Sequence, residues 1–183
     1  MEVKKTNIPG VLLIKPKVHF DERGLFTETF SSKRYIEEGI DHVFVQDNLS
    51  HSKKSVVRGL HYQIKKPQGK LVRVTSGTVF DVALDIRLNS PTFGSYFSTI
   101  LDDSDFCQLF LPPGIAHGFC VLSDFADFQY KCTDYYLEGD EGGVLWNDSD
   151  LNIDWPLKDP IVSIQDQKLK KLSDIPKNLL PKF

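Results

Sequence analysis

Phe80-Asp81-Val82-Ala83-Leu84-Asp85-Ile86-Arg87-Leu88 alternates large apolar residues with polar or small ones over its whole length. Successive side chains of a strand point to opposite faces, so a period of two marks a half-buried strand. Phe80, Val82, Leu84, Ile86 and Leu88 then form its core face, and Asp81, Asp85 and Arg87 its polar face. Weaker signals of the same kind lie at 11–14, 25–30, 42–48, 71–75, 96–101, 108–111, 118–122 and 125–132. Turn chemistry separates most of them, as at Ser76-Gly77, Asn89-Ser90-Pro91 and Pro112-Pro113-Gly114. Many short strands without long amphipathic helices between them predict an all-β antiparallel sandwich or barrel, a jelly roll, rather than a βαβ fold. Two short peripheral helices interrupt. One spans 31–38, capped by Ser31 or Ser32, and the other starts near Ser163, where Ser163-x-x-Asp166 reads as a capping box. The tail after Asp174, with Pro176 and Pro181, reads as an irregular surface segment.

Composition sets the outer bounds. The chain has 183 residues, 40% hydrophobic and 26% charged, which fits one globular domain spanning 1–183. Met1 is followed by Glu2-Val3-Lys4-Lys5 with no apolar run, and no stretch approaches the ~18 apolar residues of a membrane span. A cytoplasmic protein with no membrane partner is expected. Cys107, Cys120 and Cys132 form no CxxC pair, which speaks against a disulfide framework or a thiolate metal site; reduced, mostly buried thiols are expected. A net charge of −3 leaves no basic footprint for nucleic acid. Lys65 and Lys66 read as a solvated hairpin loop, and Lys70 stands apart from them.

Three clusters carry residues suited to chemistry. Arg58-Gly59-Leu60-His61-Tyr62-Gln63 puts an imidazole after an apolar, strand-like run, with a guanidinium three residues before it. Histidine exchanges protons near neutrality, and arginine grips phosphate with parallel hydrogen bonds. Pro113-Gly114-Ile115-Ala116-His117 fits the PxGxxH half of a cupin signature. The first half of a metal-binding cupin wants His-x-His, but Gln63 stands two residues after His61, and His19, His42 and His51 supply no such pair. The residues therefore predict no metal site. Tyr130, Tyr135 and Tyr136 lie on a strand and its exit, where they suit cross-strand packing, proton donation or base stacking. Period two puts Tyr130, Cys132, Asp134 and Tyr136 on one side and Tyr135 on the other. Asp21-Glu22-Arg23-Gly24, Glu28 and Gln46-Asp47-Asn48 taken singly read as turn or surface chemistry.

These segments occur in order along nearly the whole chain, together with Gly69-Lys70-Leu71-Val72-Arg73, Ser90-Pro91-Thr92-Phe93-Gly94, Tyr130-Lys131 and Trp146-Asn147-Asp148. In that combination the chain resembles the deoxysugar-nucleotide epimerases of the cupin superfamily. The resemblance implies a jelly-roll homodimer without metal or organic cofactor that inverts C3 and C5 of a dTDP-linked 4-keto-6-deoxy sugar. It makes His61 the base, Tyr130 the acid on the opposite face and Lys70 the cation at the enolate oxygen. It makes Asp166 the carboxylate that orients His61, a role that competes with helix capping, and Asp81 is the reserve. For binding it implies Arg23, Gln46, Asn48, Arg58, His117 and Glu141 around nucleotide and sugar, Tyr136 stacked on thymine, and Glu28 reaching in from the partner subunit. Gln165 departs from the lysine of close relatives, and Tyr62 replaces a common Phe. Two rivals stay open: a related cupin acting on another keto-sugar nucleotide, as a 3-epimerase only or a 3,4-ketoisomerase, and a non-catalytic sugar-nucleotide-binding jelly roll.

Overall fold

A computed structural model covers residues 1–183. Its strands are β1 (Glu2–Lys5), β2 (Leu12–Lys15), β3 (Val18–Asp21), β4 (Gly24–Thr27), β5 (Gln46–Lys53), β6 (Val56–Gln63), β7 (Lys70–Ser76), β8 (Thr78–Asp85), β9 (Tyr96–Asp102), β10 (Gln108–Leu111), β11 (Ile115–Val121), β12 (Phe125–Cys132), β13 (Glu141–Gly143) and β14 (Ile161–Val162). One sheet has the order β1-β2-β10-β7-β12-β5 and the other β13-β6-β11-β8-β9, with β14 added to β6. All pairings except β14 with β6 are antiparallel, and the two sheets face each other as a jelly-roll sandwich. β3 and β4 form a separate hairpin.

Three apolar clusters order the layers. Val72, Val74, Ala83, Leu109, Phe119 and Phe128 fill the space between the sheets. Ile14, Tyr35, Ile40, Leu71 and Phe110 cover the outer face of the first sheet. Leu60, Val82, Leu84, Ile86 and Ala116 cover the outer face of the second, where Leu172, Ile175 and Leu180 pack on them. The tail after Asp174 is thus only partly a surface segment. It buries Ile175 and Leu180, and Leu88 N–H donates to Pro181 O at 2.7 Å.

The strand that decides the fold is present as β8, which ends at Asp85 so that Ile86-Arg87-Leu88 continue beyond the ladder, and its faces are the reverse of the simple expectation. Val82, Leu84 and Ile86 look outward onto the C-terminal segment, while Asp81, Ala83 and Asp85 look inward between the sheets. Asp81 and Asp85 are fully buried, so the strand is buried on both faces. Asp85 is held by Arg87 Nε and Nη2 at 2.9 and 2.8 Å and by Ser90 Oγ at 2.6 Å. Burial would raise its carboxyl, and these bonds bring it below the usual carboxylate range.

Other boundaries shift for identifiable reasons. β5 begins at Gln46 rather than 42, because Phe44 packs on Phe30 and Phe110 and His42 on Phe110 instead of entering the ladder. The strand expected at 25–30 stops at Thr27, and Phe30 turns onto Tyr35. The helix is α1 (Ser32–Glu37); Ser31 occupies its N-cap, yet its hydroxyl makes no capping bond. Tyr35 anchors α1 instead, its hydroxyl donating to Gln108 Oε1 at 2.7 Å beneath a fully buried ring. The element near Ser163 is a single 3₁₀ turn, Asp166–Lys168.

Candidate active site

The cavity lies between the open ends of the two sheets. Inward side chains of the first sheet alternate along their strands: Gln46 and Asn48 on β5, Lys70 on β7, Tyr130 and Cys132 on β12. The second sheet contributes Arg58 and His61 from β6, His117 from β11 and Glu141 from β13. Two connected lobes of about 530 and 290 Å³ share His61, Lys70, Tyr130 and Glu141. Together they are large enough for a small-molecule ligand.

Arg58 and His61 are an odd number of residues apart, so regular pleating would send them to opposite faces. A bulge resolves this. His61 pairs with His117 and Arg58 with Phe119, so β6 runs one residue longer than β11 between these pairs. Gly59 makes the bulge possible: at φ +115° a Cβ would lie 2.5 Å from Gly118 Cα and 2.6 Å from His117 O. Both the guanidinium and the imidazole therefore enter the same cavity.

His61 is fixed from behind. Its Nε2 lies 2.7 Å from Asp166 Oδ1, and Gly59 N–H donates to Asp166 Oδ2 at 3.3 Å. Asp166 N–H donates to Ser163 Oγ at 3.0 Å, which is one half of the predicted capping box. The carboxylate itself turns away from the turn and toward His61. Asp166 is buried, which alone would raise its carboxyl; the bonds from His61, Gly59 and Ser163 outweigh this and lower it. With Nε2 committed to a carboxylate, Nδ1 is the nitrogen left for chemistry.

Lys70 and Tyr130 stand on the facing sheet, with Lys70 Nζ 5.8 Å from the centroid of the Tyr130 ring. Burial lowers the Lys70 ammonium, partly offset by Cys132, Asp81 and Glu141. Burial likewise raises the Tyr130 phenol, with Arg58 working in the other direction. Arg58 Nε donates to Ser52 Oγ at 3.0 Å, which leaves the terminal nitrogens of its fork free. A polar chain lines the outer lobe: Tyr136 N–H donates to Gln46 Oε1 at 2.9 Å, Gln46 Nε2 to Asn48 Oδ1 at 3.0 Å, and Asn48 Nδ2 reaches Cys132 Sγ at 3.6 Å. Tyr136 lines this lobe half exposed, whereas Tyr135 points away.

His61, Lys70, Tyr130, Asp166, Arg58, His117, Gln46, Asn48, Tyr136 and Glu141 thus converge, and Gln165 joins them at the rim. Arg23 and Glu28 do not converge with them in one chain. Arg23 sits on the β3–β4 turn, its side chain 86% exposed and paired with Asp21, and Glu28 pairs with Arg34 at 3.2 Å. Asp81 does not serve His61; it binds His117 Nε2 at 2.9 Å. Sequence reasoning missed that pairing, because neither residue type nor spacing shows that β8 turns its acidic face inward. It also missed Gln63 as a loop anchor: Gln63 accepts from Leu137 N–H at 3.0 Å and donates to Lys66 O at 2.9 Å. No three His, Cys, Asp or Glu side chains come together as metal ligands, and no helix is long and apolar enough to cross a membrane.

Comparison with known proteins adds an independent line. A sequence profile of the family described as dTDP-4-dehydrorhamnose 3,5-epimerase matches residues 5–174. A dTDP-4-dehydrorhamnose 3,5-epimerase of Shigella flexneri is 51% identical, covering 95% of this chain and 97% of its own. The crystal structure of a dTDP-6-deoxy-D-glucose-3,5-epimerase from Legionella pneumophila, in complex with dTDP-4-keto-L-rhamnose, is 50% identical and superposes with a TM-score of 0.96, covering 100% and 98% of the two chains. A 3'-monoepimerase from Streptomyces bikiniensis in complex with dTDP-quinovose is more distant in sequence, 30% identical with a TM-score of 0.90 over 97% and 91%.

Proposed function

The chain belongs to the dTDP-4-dehydrorhamnose 3,5-epimerase family, and from that premise we propose how its own residues carry the reaction. It is an isomerase of dTDP-L-rhamnose biosynthesis that epimerises a dTDP-linked 4-keto-6-deoxy sugar at C3 and C5. The 4-keto group acidifies the protons on both adjacent carbons. His61 removes each in turn through Nδ1, because Asp166 occupies Nε2. The electron pair moves onto the carbonyl oxygen, where the Lys70 ammonium meets the enolate charge. Tyr130, kept protonated by burial, delivers a proton to the other face of the same carbon, and before the second carbon reacts His61 gives its proton to solvent and the Tyr130 phenolate takes one back.

The observation that carries this assignment is the placement of base and acid on opposite walls. His61, backed by Asp166 of the 3₁₀ turn, stands on the second sheet, and Tyr130 with Lys70 on the first, across one cavity. Inversion needs that separation. The free fork of Arg58 suits a diphosphate, and charge-assisted bonds of this kind are each worth about 1.5–3 kcal/mol. Gln46, Asn48, His117, Tyr136 and Glu141 surround the remaining nucleotide and sugar, with Tyr136 stacking on the base.

The functional unit is a homodimer in which a second copy supplies Glu28, and with it Arg23. Two exposed features support this. β5 is an open edge of the first sheet and carries Gln46 and Asn48. The β3–β4 hairpin exposes Phe20, Leu25 and Phe26 to 74%, 49% and 72%, apolar surface that a partner would cover. Incubation with dTDP-4-dehydro-6-deoxy-glucose in deuterated water tests the chemistry. Deuterium at both C3 and C5 is expected. Label at C3 alone would make the protein a 3-epimerase, and label at neither, with the fold intact, would remove the assignment.

A further inference from the structure

A second imidazole–carboxylate pair lines the same cavity, and the chemistry above gives its carboxylate no task. His117, the register neighbour of His61, places Nε2 2.9 Å from Asp81 Oδ2 on β8. Asp81 is fully buried and His117 is 6% exposed. The ring of His117 stacks on Phe128 at 5.7 Å, and Phe128 on Phe119 at 4.2 Å, so the imidazole is clamped in orientation. Asp81 Oδ1 is buried without any hydrogen-bond partner. His117 reaches Asp81 only through Nε2, and Nδ1 has no protein partner.

These facts conflict for a singly protonated ring. With its one proton on Nε2 toward Asp81, His117 would present a lone pair at Nδ1 to an incoming anion. Asp81 meanwhile would be a buried carboxylate with one oxygen unpartnered and no cation in direct contact, its nearest support being the Lys70 ammonium, which burial itself disfavours. A second proton on the ring turns Nδ1 into a donor and puts a cation in direct contact with Asp81 Oδ2, although Oδ1 still lacks a hydrogen-bond partner. The surrounding charges decide when it arrives. Arg58 on β6 and Lys70 on β7 oppose another cation, while Glu141 on β13 and Asp166 on the 3₁₀ turn favour it, and His61 on β6 is neutral in its role as base. Tyr130 and Cys132 on β12 and Cys120 on β11 are neutral neighbours, their hydroxyl and thiols held protonated by burial. A dianionic diphosphate tips this balance by neutralising the cations.

We propose that His117 takes up a proton when the nucleotide diphosphate binds, with Asp81 as its buried counter-ion, so that Nδ1–H becomes a donor to the ligand. Asp81 is then a positioning residue acting through His117. The inference rests on the nucleotide-sugar assignment, and the test separates the two. Titration calorimetry with dTDP at about pH 8, in buffers of different ionisation enthalpy, measures net proton uptake. The wild type takes up about one proton per site, and uptake is lost in His117→Gln and in Asp81→Asn. In ¹⁵N-histidine-labelled wild type, dTDP moves the His117 ring nitrogens to the doubly protonated pattern, which does not depend on how either variant folds. Binding heat that is independent of buffer, unchanged His117 nitrogens, or uptake that survives in His117→Gln overturns the proposal. Failure of dTDP to bind the wild type removes the nucleotide assignment itself.

Discussion

Asp166→Asn should silence the enzyme while leaving its shape intact, because of which nitrogen of His61 then carries the proton. Asp166 accepts from two donors at once, His61 Nε2–H at 2.7 Å and Gly59 N–H at 3.3 Å. An asparagine has one oxygen for these two positions. The backbone N–H of Gly59 cannot change its role, so the oxygen must face it and the amide nitrogen must face His61. That nitrogen donates to Nε2, which forces the ring proton onto Nδ1, the atom required as base. In other His–Asp pairs a wrong tautomer lowers kcat by about 10⁴, or ~5.5 kcal/mol at 1.36 kcal/mol per decade. A loss of 10³-fold to 10⁴-fold in C3 and C5 exchange, followed by NMR in deuterated water with the melting temperature as control, is therefore expected. Asp166→Ala imposes no tautomer and should lose less activity than Asp166→Asn, although it leaves Gly59 N–H unsatisfied. A folded Asp166→Asn within about tenfold of wild type would refute the reasoning, and so would an alanine variant less active than the asparagine one.

Tyr130→Phe removes the opposite-face acid and not the base, so it should keep much of the substrate proton wash-out while losing inverted product. His61→Ala should lose both, and equal loss in the two variants would contradict the roles given to them. Lys70→Met should lower kcat about 10²-fold to 10³-fold with little change in KM, as expected for loss of one oxyanion donor. Burial lowers the Lys70 ammonium, so as pH rises its charge is lost below the ordinary lysine range, while Tyr130 is still protonated. The alkaline limb of kcat/KM should accordingly fall below about pH 10.4; a limb above it would conflict with a buried cation. Gly59→Ala puts a Cβ 2.5 Å from Gly118 Cα, where no flexible side chain can yield. It should destabilise the fold by about 3 kcal/mol or more in denaturant melts, and a change below about 1 kcal/mol would show that the bulge is soft.

Periodicity alone was enough to place β8, β10 and β12, because alternation survives wherever the two faces of a strand meet different surroundings. It could not say which face of β8 is inside. Its apolar side meets the C-terminal segment and its acidic side meets His117 and Arg87, so both are buried and the simple rule of polar outward fails. β6 is harder still: Val57, Gly59, Leu60, Tyr62 and Gln63 are all buried, and its bulge breaks the period where Arg58 and His61 need it broken. The segment 42–45 looks like strand because Val43, Phe44 and Val45 are apolar, yet long-range packing on Phe110 claims His42 and Phe44. Of the residues around the cavity, His61, His117 and Tyr130 stood out by their own chemistry, whereas Gln46, Asn48 and Glu141 were legible only through the family resemblance. The resemblance put Asp166 on His61, but the pairing of Asp81 with His117 was not legible, since it depends on a distance between elements far apart in the chain.

A two-walled cavity also explains why this chemistry suits a sandwich. An inverting proton exchange needs base and acid on opposite faces of one ring, neither able to reach the other's side. Strands of two facing sheets supply that by construction: inward side chains of β6 and of β12 approach from opposite directions, about 10 Å apart at the backbone. At the apolar end that gap is closed by Phe119 stacked on Phe128 at 4.2 Å. Beside that stack the cavity is lined by Ser50 of β5, Arg58 of β6 and Gly118 of β11. β12 carries both Phe128 of the floor and Tyr130 of one wall, and Phe128 also stacks on His117 of β11, so repacking Phe128 would move His117 and Tyr130 together. The core and the catalytic geometry are two stretches of one interface, and the stability of the first fixes the precision of the second.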